Sequence, residues 1–255
     1  MTDERLEQTP AGIVLEHDPQ SSGASRALTV PELPEDAIIV LPVRNMVLFP
    51  EIALPITIGR RGSLSAANEA ARREAPIGVL LQQDAAQDNP EPEDMYGVGT
   101  LAQVLKIITA PDGSQHLVCH GRQRFRVKQF LRGYPYMVAR VEMLREQQAT
   151  DLEIEAKQNY LRQMAVEALQ LLPQAPAEMV HAIQQMEAPG RLADMVAAYM
   201  DLEPAEKQKV LETLDLNERL KRVSELLSYR LEVLRLTHEI SQQTKESVDE
   251  RQREF

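Results

Sequence analysis

The last forty residues of the chain, Leu216 to Phe255, contain neither glycine nor proline. Because nothing in this stretch breaks a helix, it is predicted to form one continuous helix about 60 Å long. Apolar residues recur at helical spacing as far as Ile240, but beyond it Val248 and Phe255 are the only large apolar side chains. The end of this helix has little apolar surface for packing, so we expect it to protrude from its domain or to pack on protein that follows it.

Glycine divides the chain into a turn-rich first half and a helical second half. Ten of the eleven glycines lie at or before Gly133, and only Gly190 follows. The predicted fold class is α+β: a mostly antiparallel β domain, built as a folded sheet or open barrel with one inserted helix, followed by an all-α bundle that ends in the long helix. The predicted divisions are an acidic tail expected to be disordered (1–36), the β-rich domain (37–146), the helical bundle (150–215) and the long linker helix (216–255).

Within the β-rich half, runs of β-branched residues predict short strands, and one segment (63–73) has helical character. Pro111, Asp112 and Gly113 form a strong hairpin-turn signal. The predicted strands cover residues 37–43, 54–59, 77–82, 98–109, 115–120, 123–131 and 136–144.

Composition narrows the classes of protein. The formal net charge of −11 disfavours nonspecific nucleic-acid binding by the whole chain. The single cysteine, Cys119, excludes an internal disulfide framework and suits a reducing compartment. The amino terminus is polar and acidic, unlike a signal peptide, and the apolar stretches are shorter than the ~20 residues of a membrane span. We therefore expect a cytoplasmic protein that does not cross a membrane.

The motifs of the common hydrolases are missing from this sequence. It contains no GxxxxGK[ST], GxSxG or HExxH pattern. Residues Gly97 to Ala102 match GxGxxA, but an acidic loop precedes them and a predicted strand follows, whereas a dinucleotide site needs a strand before and a helix after. We therefore expect no catalytic and no cofactor-binding residue in this chain, which is predicted not to be an enzyme by itself.

A cluster of metal-ligating residue types occurs at His116, Cys119 and His120. On a strand the two histidines lie about 13 Å apart and the cysteine points to the opposite face. One zinc ion cannot reach ligands so far apart, so no metal site is predicted.

An apolar run, Met46-Val47-Leu48-Phe49, lies between two predicted strands. One interpretation is that much of this run belongs to the core. The other is that the loop leaves an exposed apolar surface of the kind that binds peptides, where methionine adapts to varied ligands. On the second interpretation, the predicted substrate-binding patch consists of Met46, Val47, Leu48, Phe49, Met95 and Tyr96.

No acidic residue occurs between Gly113 and Val141. Inside this stretch four alternating cations are expected to project from one face of a strand and form a stripe. That face is either a solvated surface or a contact site for an acidic partner, whether a neighbouring subunit, a peptide or nucleic acid. Nucleic acid is the less favoured partner because the stripe lacks clear exposed aromatics for base stacking. The predicted stripe consists of Arg122, Arg124, Arg126 and Lys128.

Methionine is enriched in the helical half. These side chains either fill the core of the bundle or form an adaptable groove for unfolded segments. The residues concerned are Met164, Met179, Met186, Met195 and Met200.

Several motifs occur in the order found at the start of one family. They are Leu41 to Pro50, Pro55-Ile56 with Ile58 to Arg60, Tyr96 to Ala102, Pro111 to Gly113, Gly121 with Arg124, and Ser228 to Leu234. Together they resemble the amino-terminal domain of the Lon proteases, and the resemblance extends over residues 37–255.

The resemblance implies the substrate-recognition region of a homohexameric, ATP-dependent serine protease of protein quality control and the stress response. ATP, Mg²⁺ and the Ser-Lys protease site belong to domains absent from this chain, which is therefore expected to be truncated before them. The implied partners are unfolded or damaged proteins and selected regulatory proteins, together with further copies of the chain. The alternative is a free-standing regulatory or nucleic-acid-binding adaptor with a similar β domain.

Overall fold

The computed structural model describes residues 31–111, 114–146, 151–172 and 176–254, and side chains as far as Thr244. Most of the predicted tail (1–36), two residues of the predicted hairpin turn, Asp112 and Gly113, and Phe255 lie outside the described residues. The strands are β1 (Ala37–Val43), β2 (Ala53–Ile58), β3 (Ile77–Leu81), β4 (Val98–Thr109), β5 (Gln115–Leu131) and β6 (Val138–Met143). The helices are α1 (Arg61–Arg72), α2 (Leu152–Leu171), α3 (Ala177–Gln184), α4 (Pro189–Tyr199), α5 (Pro204–Glu212) and α6 (Leu216–Glu254).

The six strands form one sheet in the order β2-β5-β4-β3-β1-β6. β6 also pairs with the second half of β5, so the sheet curls back on itself, while β2 lies outside the ring and keeps it from being a clean barrel. β1 and β3 are parallel and the other pairs are antiparallel. The predicted class, a mostly antiparallel folded sheet with one inserted helix followed by a helical bundle, is confirmed.

The two strands predicted at 115–120 and 123–131 are one strand, β5. Gly121 does not end the strand, because it pairs with Ala102 on one side and exchanges main-chain hydrogen bonds with Glu51 and Ile52 on the other. A side chain at this position would collide with the main chain of Phe49. Only glycine at this position allows the 49–52 loop to approach β5 so closely.

The centre of the sheet is packed on both faces. Every residue of β3 is buried, and β1 is almost as apolar along its whole length, as expected for strands without a solvated face. The ring of Phe125 lies against the main chain of β3 and β4, where a Cβ on Gly78 or Gly99 would come within 3.0 Å or 2.7 Å of its Cζ atom.

The helical half packs on the β half through a continuous apolar core. On α6 the buried residues recur every three or four positions and face α2 and α4, which is the pattern of an amphipathic helix. These residues are Leu216, Leu220, Val223, Leu227 and Leu231. From Arg235 to Thr244 every described side chain is exposed, so α6 leaves the fold as the sequence predicted.

Candidate functional site

The apolar run that was predicted as a peptide-binding patch is mostly inside the protein. Val47, Leu48 and Phe49 are buried, and so is Met95. The Thr100 hydroxyl donates to the Leu48 carbonyl at 2.5 Å, and Glu51 N–H donates to the Gly121 carbonyl at 3.0 Å.

These bonds fix the loop to β4 and β5 with its apolar side chains turned inward. The prediction of an exposed patch is therefore wrong for Val47, Leu48, Phe49 and Met95. Met46 and Tyr96 are half-buried and reach the surface.

The predicted stripe of four cations is not a continuous exposed face either. Arg122 and Lys128 are the extra residues at two bulges of β5, each of which shifts the alternation by one residue. Arg122 donates to Gln103, whereas Lys128 lies 2.6 Å and Arg126 4.0 Å from the carboxylate of Glu142. Arg124 is buried, with 5% of its surface exposed. The expectation that these four side chains form one open stripe is therefore wrong.

The two motif-like clusters have local structural explanations. His116 hydrogen-bonds Thr57 and Ser114 on one side of β5, and Cys119 is buried. Among the described residues there is no group of three or more His, Cys, Asp or Glu side chains that could hold a metal ion. Gly97 to Ala102 enter the long strand β4 and not a helix, so these residues do not fit a nucleotide phosphate.

A buried ionic cluster joins the two halves of the protein. Arg124 of β5 makes two hydrogen bonds to the carboxylate of Asp194 on α4, and its Nε donates to the Leu211 carbonyl of α5 at 2.9 Å. Arg219 of α6 contacts the same carboxylate at 3.2 Å and also Glu146, which follows β6. One aspartate and two arginines thus fix α4, α5 and α6 against the sheet.

The helical half contains an apolar groove between α2, α3, α4 and α6, with a volume of about 290 Å³. Half-buried Met179 and Met195 lie in its wall and buried Met200 in its floor, and we call it the methionine groove. At the rim Tyr199 is 54% exposed and Val233 42% exposed. The groove is lined by Ala165, Ala168, Leu169, Leu172, Met179, Ile183, Met195, Val196, Tyr199, Met200, Asp201, Leu227, Arg230, Val233 and Leu234.

Its chemistry suits apolar side chains. Asp201 and Arg230 are the charged lining residues, and they lie 3.9 Å apart at the surface. Flexible thioether side chains allow the wall to adapt to apolar groups of different shape. Of the five methionines noted in the sequence, Met164 and Met186 are buried core residues, whereas Met179, Met195 and Met200 line the groove. The position of Tyr199 and Val233 at the rim was not predictable from the sequence, because it depends on how four helices pack.

No helix in the described part of the chain is both long and apolar enough to cross a membrane.

Comparisons with known proteins agree with this architecture. Residues 37–229 match the model of the family described as the ATP-dependent protease La (LON) substrate-binding domain. The Lon protease of Methylocella silvestris is 46% identical over 237 residues, which cover 93% of this chain and 29% of that protein. The Lon protease of Phenylobacterium zucineum is 47% identical over 236 residues, covering 92% of this chain and 29% of that protein. The chain thus spans under a third of the length of these relatives.

Two solved structures share the fold. The N-terminal domain of Mycobacterium avium complex Lon protease superposes with a TM-score of 0.64 at 23% identity, covering 75% of this chain and 98% of that one. The Lon N-terminal domain protein from Xanthomonas campestris superposes with a TM-score of 0.52 at 17% identity, covering 76% of this chain and 98% of that one.

Proposed function

The chain belongs to the family of Lon substrate-binding domains, and on that premise we propose that it is the substrate-recognition region of an ATP-dependent serine protease. The proposed substrates are misfolded or damaged proteins and selected regulatory proteins, which the chain binds through their apolar segments. The chain itself carries out no catalysis. ATP and Mg²⁺ act in the part of such a protease that this chain does not span, and the complete protease works as a homohexamer in the cytoplasm.

The observation that carries this proposal is the methionine groove. It is apolar, adaptable and open at a rim formed by Tyr199 and Val233. Unfolded proteins differ from folded ones chiefly in exposing apolar side chains, which this lining accepts without requiring a particular sequence. Binding by each copy is expected to be weak, and six copies in one assembly strengthen it through effective concentration.

The groove also lies beside the helix that leaves the fold. Val233 lines the groove, and from Arg235 onward α6 has no described side chain in the core. A segment held in the groove therefore lies near the helix proposed to lead toward the ATPase ring.

The test is a titration of the chain with fluorescently labelled, reduced and carboxymethylated lactalbumin. Tyr199→Asp and Val233→Asp place a charge at the exposed rim and should weaken binding at least several-fold, because the bound apolar group would have to desolvate a carboxylate. Tyr160→Asp is the matched control, since Tyr160 is 56% exposed on α2 and does not line the groove. Equal binding by the parent, both rim variants and the control would refute the groove as the binding site.

The adaptor alternative has lost its main support, because Arg124 is buried and Arg126 and Lys128 share Glu142. A nucleic-acid adaptor would bind single-stranded or duplex DNA or RNA at low salt, with affinity that falls steeply as salt is added. We expect no such binding.

A further inference from the structure

A second opening lies in the β half, where β1 and β2 approach each other without pairing. It has a volume of about 850 Å³ and is lined by residues 41–46, residues 55–63, Asp88 and Asn89. We call it the β1–β2 cleft. Met46, the member of the apolar run that reaches the surface, lies in its wall beside buried Leu41 and Ile56.

The hydrogen-bonding direction of the strands shows what borders the cleft. Gly121 exchanges hydrogen bonds with Glu51 and Ile52. By the alternation of an antiparallel pair, Leu54, Ile56 and Ile58 then bond to β5, and the main chains of Pro55 and Thr57 point away from it. β2 therefore presents an edge that can accept hydrogen bonds from another extended chain.

The opposite border is similar. Val43 accepts a hydrogen bond from Gln82 on the β3 side, and Val40 donates to Met137 on the other side. Pro42 has the orientation of Val40, so its main chain points away from β3. Pro42 and Pro55 have no N–H, so neither residue can donate a hydrogen bond into the cleft. An occupant of the cleft would have to supply N–H donors, as an extended polypeptide does.

Charge separates this cleft from the methionine groove. Three guanidinium groups line it, those of Arg44, Arg60 and Arg61, against the single carboxylate of Asp88. Arg44 is 2.6 Å from Asp88, and Arg60 donates to Gln82 at 2.7 Å. Burial lowers the pKa of Arg60, and the nearby charge of Arg44 lowers that pKa further. In a chain with a net charge of −11, this surplus of positive charge favours an anionic group in the cleft.

We propose that the β1–β2 cleft binds an extended polypeptide segment that carries apolar residues and an acidic side chain, with the carboxylate held by Arg44 and Arg61. The inference rests on the proposed function, because the segment would be part of a substrate, but it adds a site and a chemical preference that the groove does not have. Nucleic acid fits less well, since none of the residues lining the cleft is aromatic.

The experiment measures fluorescence anisotropy of two labelled heptapeptides of alternating valine and threonine, with blocked ends and a central glutamate or glutamine. The glutamate peptide should bind more tightly. Arg61→Gln should weaken it about two- to fivefold and leave the glutamine peptide unchanged, as expected for one exposed ion pair.

Asp88→Asn gives a second and sharper result, because it removes the carboxylate that competes for Arg44. It should strengthen binding of the glutamate peptide about two- to fivefold, a gain that misfolding cannot imitate. Arg126→Gln, which replaces an exposed arginine outside the cleft, should leave binding of the glutamate peptide unchanged.

Equal affinity for the two peptides, or weaker binding by Asp88→Asn, would overturn the inference. If lactalbumin binding still depends on Tyr199 in that case, the proposed function stands and only the cleft is refuted. Displacement of the glutamate peptide by a single-stranded oligonucleotide at lower concentration than by unlabelled glutamate peptide would also overturn the inference, in favour of a nucleic-acid site.

Discussion

Asp194 on α4 accepts two hydrogen bonds from the guanidinium group of Arg124 on β5, at 2.9 Å and 2.7 Å. The two residues are 70 positions apart, and both side chains are almost completely buried. A pair of parallel bonds fixes orientation as well as distance, so this contact sets how the helical half sits on the sheet. The position of the methionine groove relative to the β1–β2 cleft depends on it.

Removing Asp194 should damage the fold more than removing Arg124. Asp194→Asn leaves two buried guanidinium groups, Arg124 and Arg219, without their shared carboxylate, and should cost roughly 3–5 kcal/mol. Arg124→Met leaves the contact between Asp194 and Arg219 in place and should cost less. Urea denaturation followed by circular dichroism measures both, with exposed Arg126→Met as a control expected to stay within about 0.5 kcal/mol of the parent. The opposite order for the two buried residues would show that the cluster is not organised around the aspartate.

Two glycines of the GxGxxA pattern should differ sharply when replaced by alanine. A Cβ on Gly99 would lie 2.7 Å from the Phe125 ring and would also meet the main chain of Val79, whereas a Cβ on Gly97 would meet no atom within 4 Å. Gly99→Ala should therefore cost about 1–3 kcal/mol through overpacking, and Gly97→Ala should be close to neutral. The midpoints of thermal unfolding compare the two variants directly. A similar loss in both would mean that the pattern is needed for something other than packing.

Replacing Glu74 by glycine should stabilise the protein. Glu74 follows α1 with φ of 51°, and Glu74 and Ala75 donate to the carbonyls of Ala71 and Ala70 at 3.1 Å and 3.0 Å. This is a Schellman ending, in which the left-handed position favours glycine. Glu74→Gly should gain about 1 kcal/mol and raise the melting temperature by about 2–4 °C. Glu74→Ala keeps the strained backbone and should give no comparable gain.

The reactivity of the single cysteine measures how often the fold opens. Cys119 is completely buried in β5, and burial raises the pKa of its thiol to about 11. The native protein should therefore react slowly with a disulfide reagent at pH 8, and Asp194→Asn should react faster because its fold opens more often. Fast labelling of the stable parent would contradict the burial of this residue.

The same thiol predicts a pH dependence of stability. The thiol of the unfolded chain loses its proton near pH 9, whereas the folded thiol keeps it to about pH 11. The free energy of unfolding should therefore be fully retained below about pH 9 and should fall as the pH rises toward 11. Cys119→Ala, measured by urea denaturation across this pH range, should remove the part of the decrease in the free energy of unfolding that the thiol causes.

Features that depend on local pattern were predictable. The long helix α6 follows from forty residues without a breaker, and the strands follow from β-branched runs bounded by turn residues. The resemblance of the motifs identified the family before any contact was known. The sequence indicated the methionine groove only through an enrichment of methionine, which was compatible with either a core or a groove.

The predictions of the two candidate sites in the β half were wrong because they depended on which way the side chains point. The prediction of the stripe assumed that side chains of β5 alternate between its two faces without interruption. Bulges at Arg122 and Lys128 each shift this alternation by one residue. The prediction of the apolar patch assumed that a loop between strands stays at the surface. Hydrogen bonds to Thr100 and Gly121 instead hold this loop inside the protein. Both errors concern contacts with other strands, namely pairing with β4 and β6 for the stripe and bonds to Thr100 and Gly121 for the apolar run.

Local pattern in the sequence was enough to predict most of the strands and helices, the helix that leaves the fold, and the family. The burial of Phe49 and Arg124, and the places of Tyr199 and Arg61 at openings, came from the packing of the complete fold. The difference lies in range, because helix and strand formation depend on neighbours within a few positions, which can be read from the sequence. Burial depends on which distant surfaces meet, and a one-residue shift in a strand is enough to exchange inside for outside.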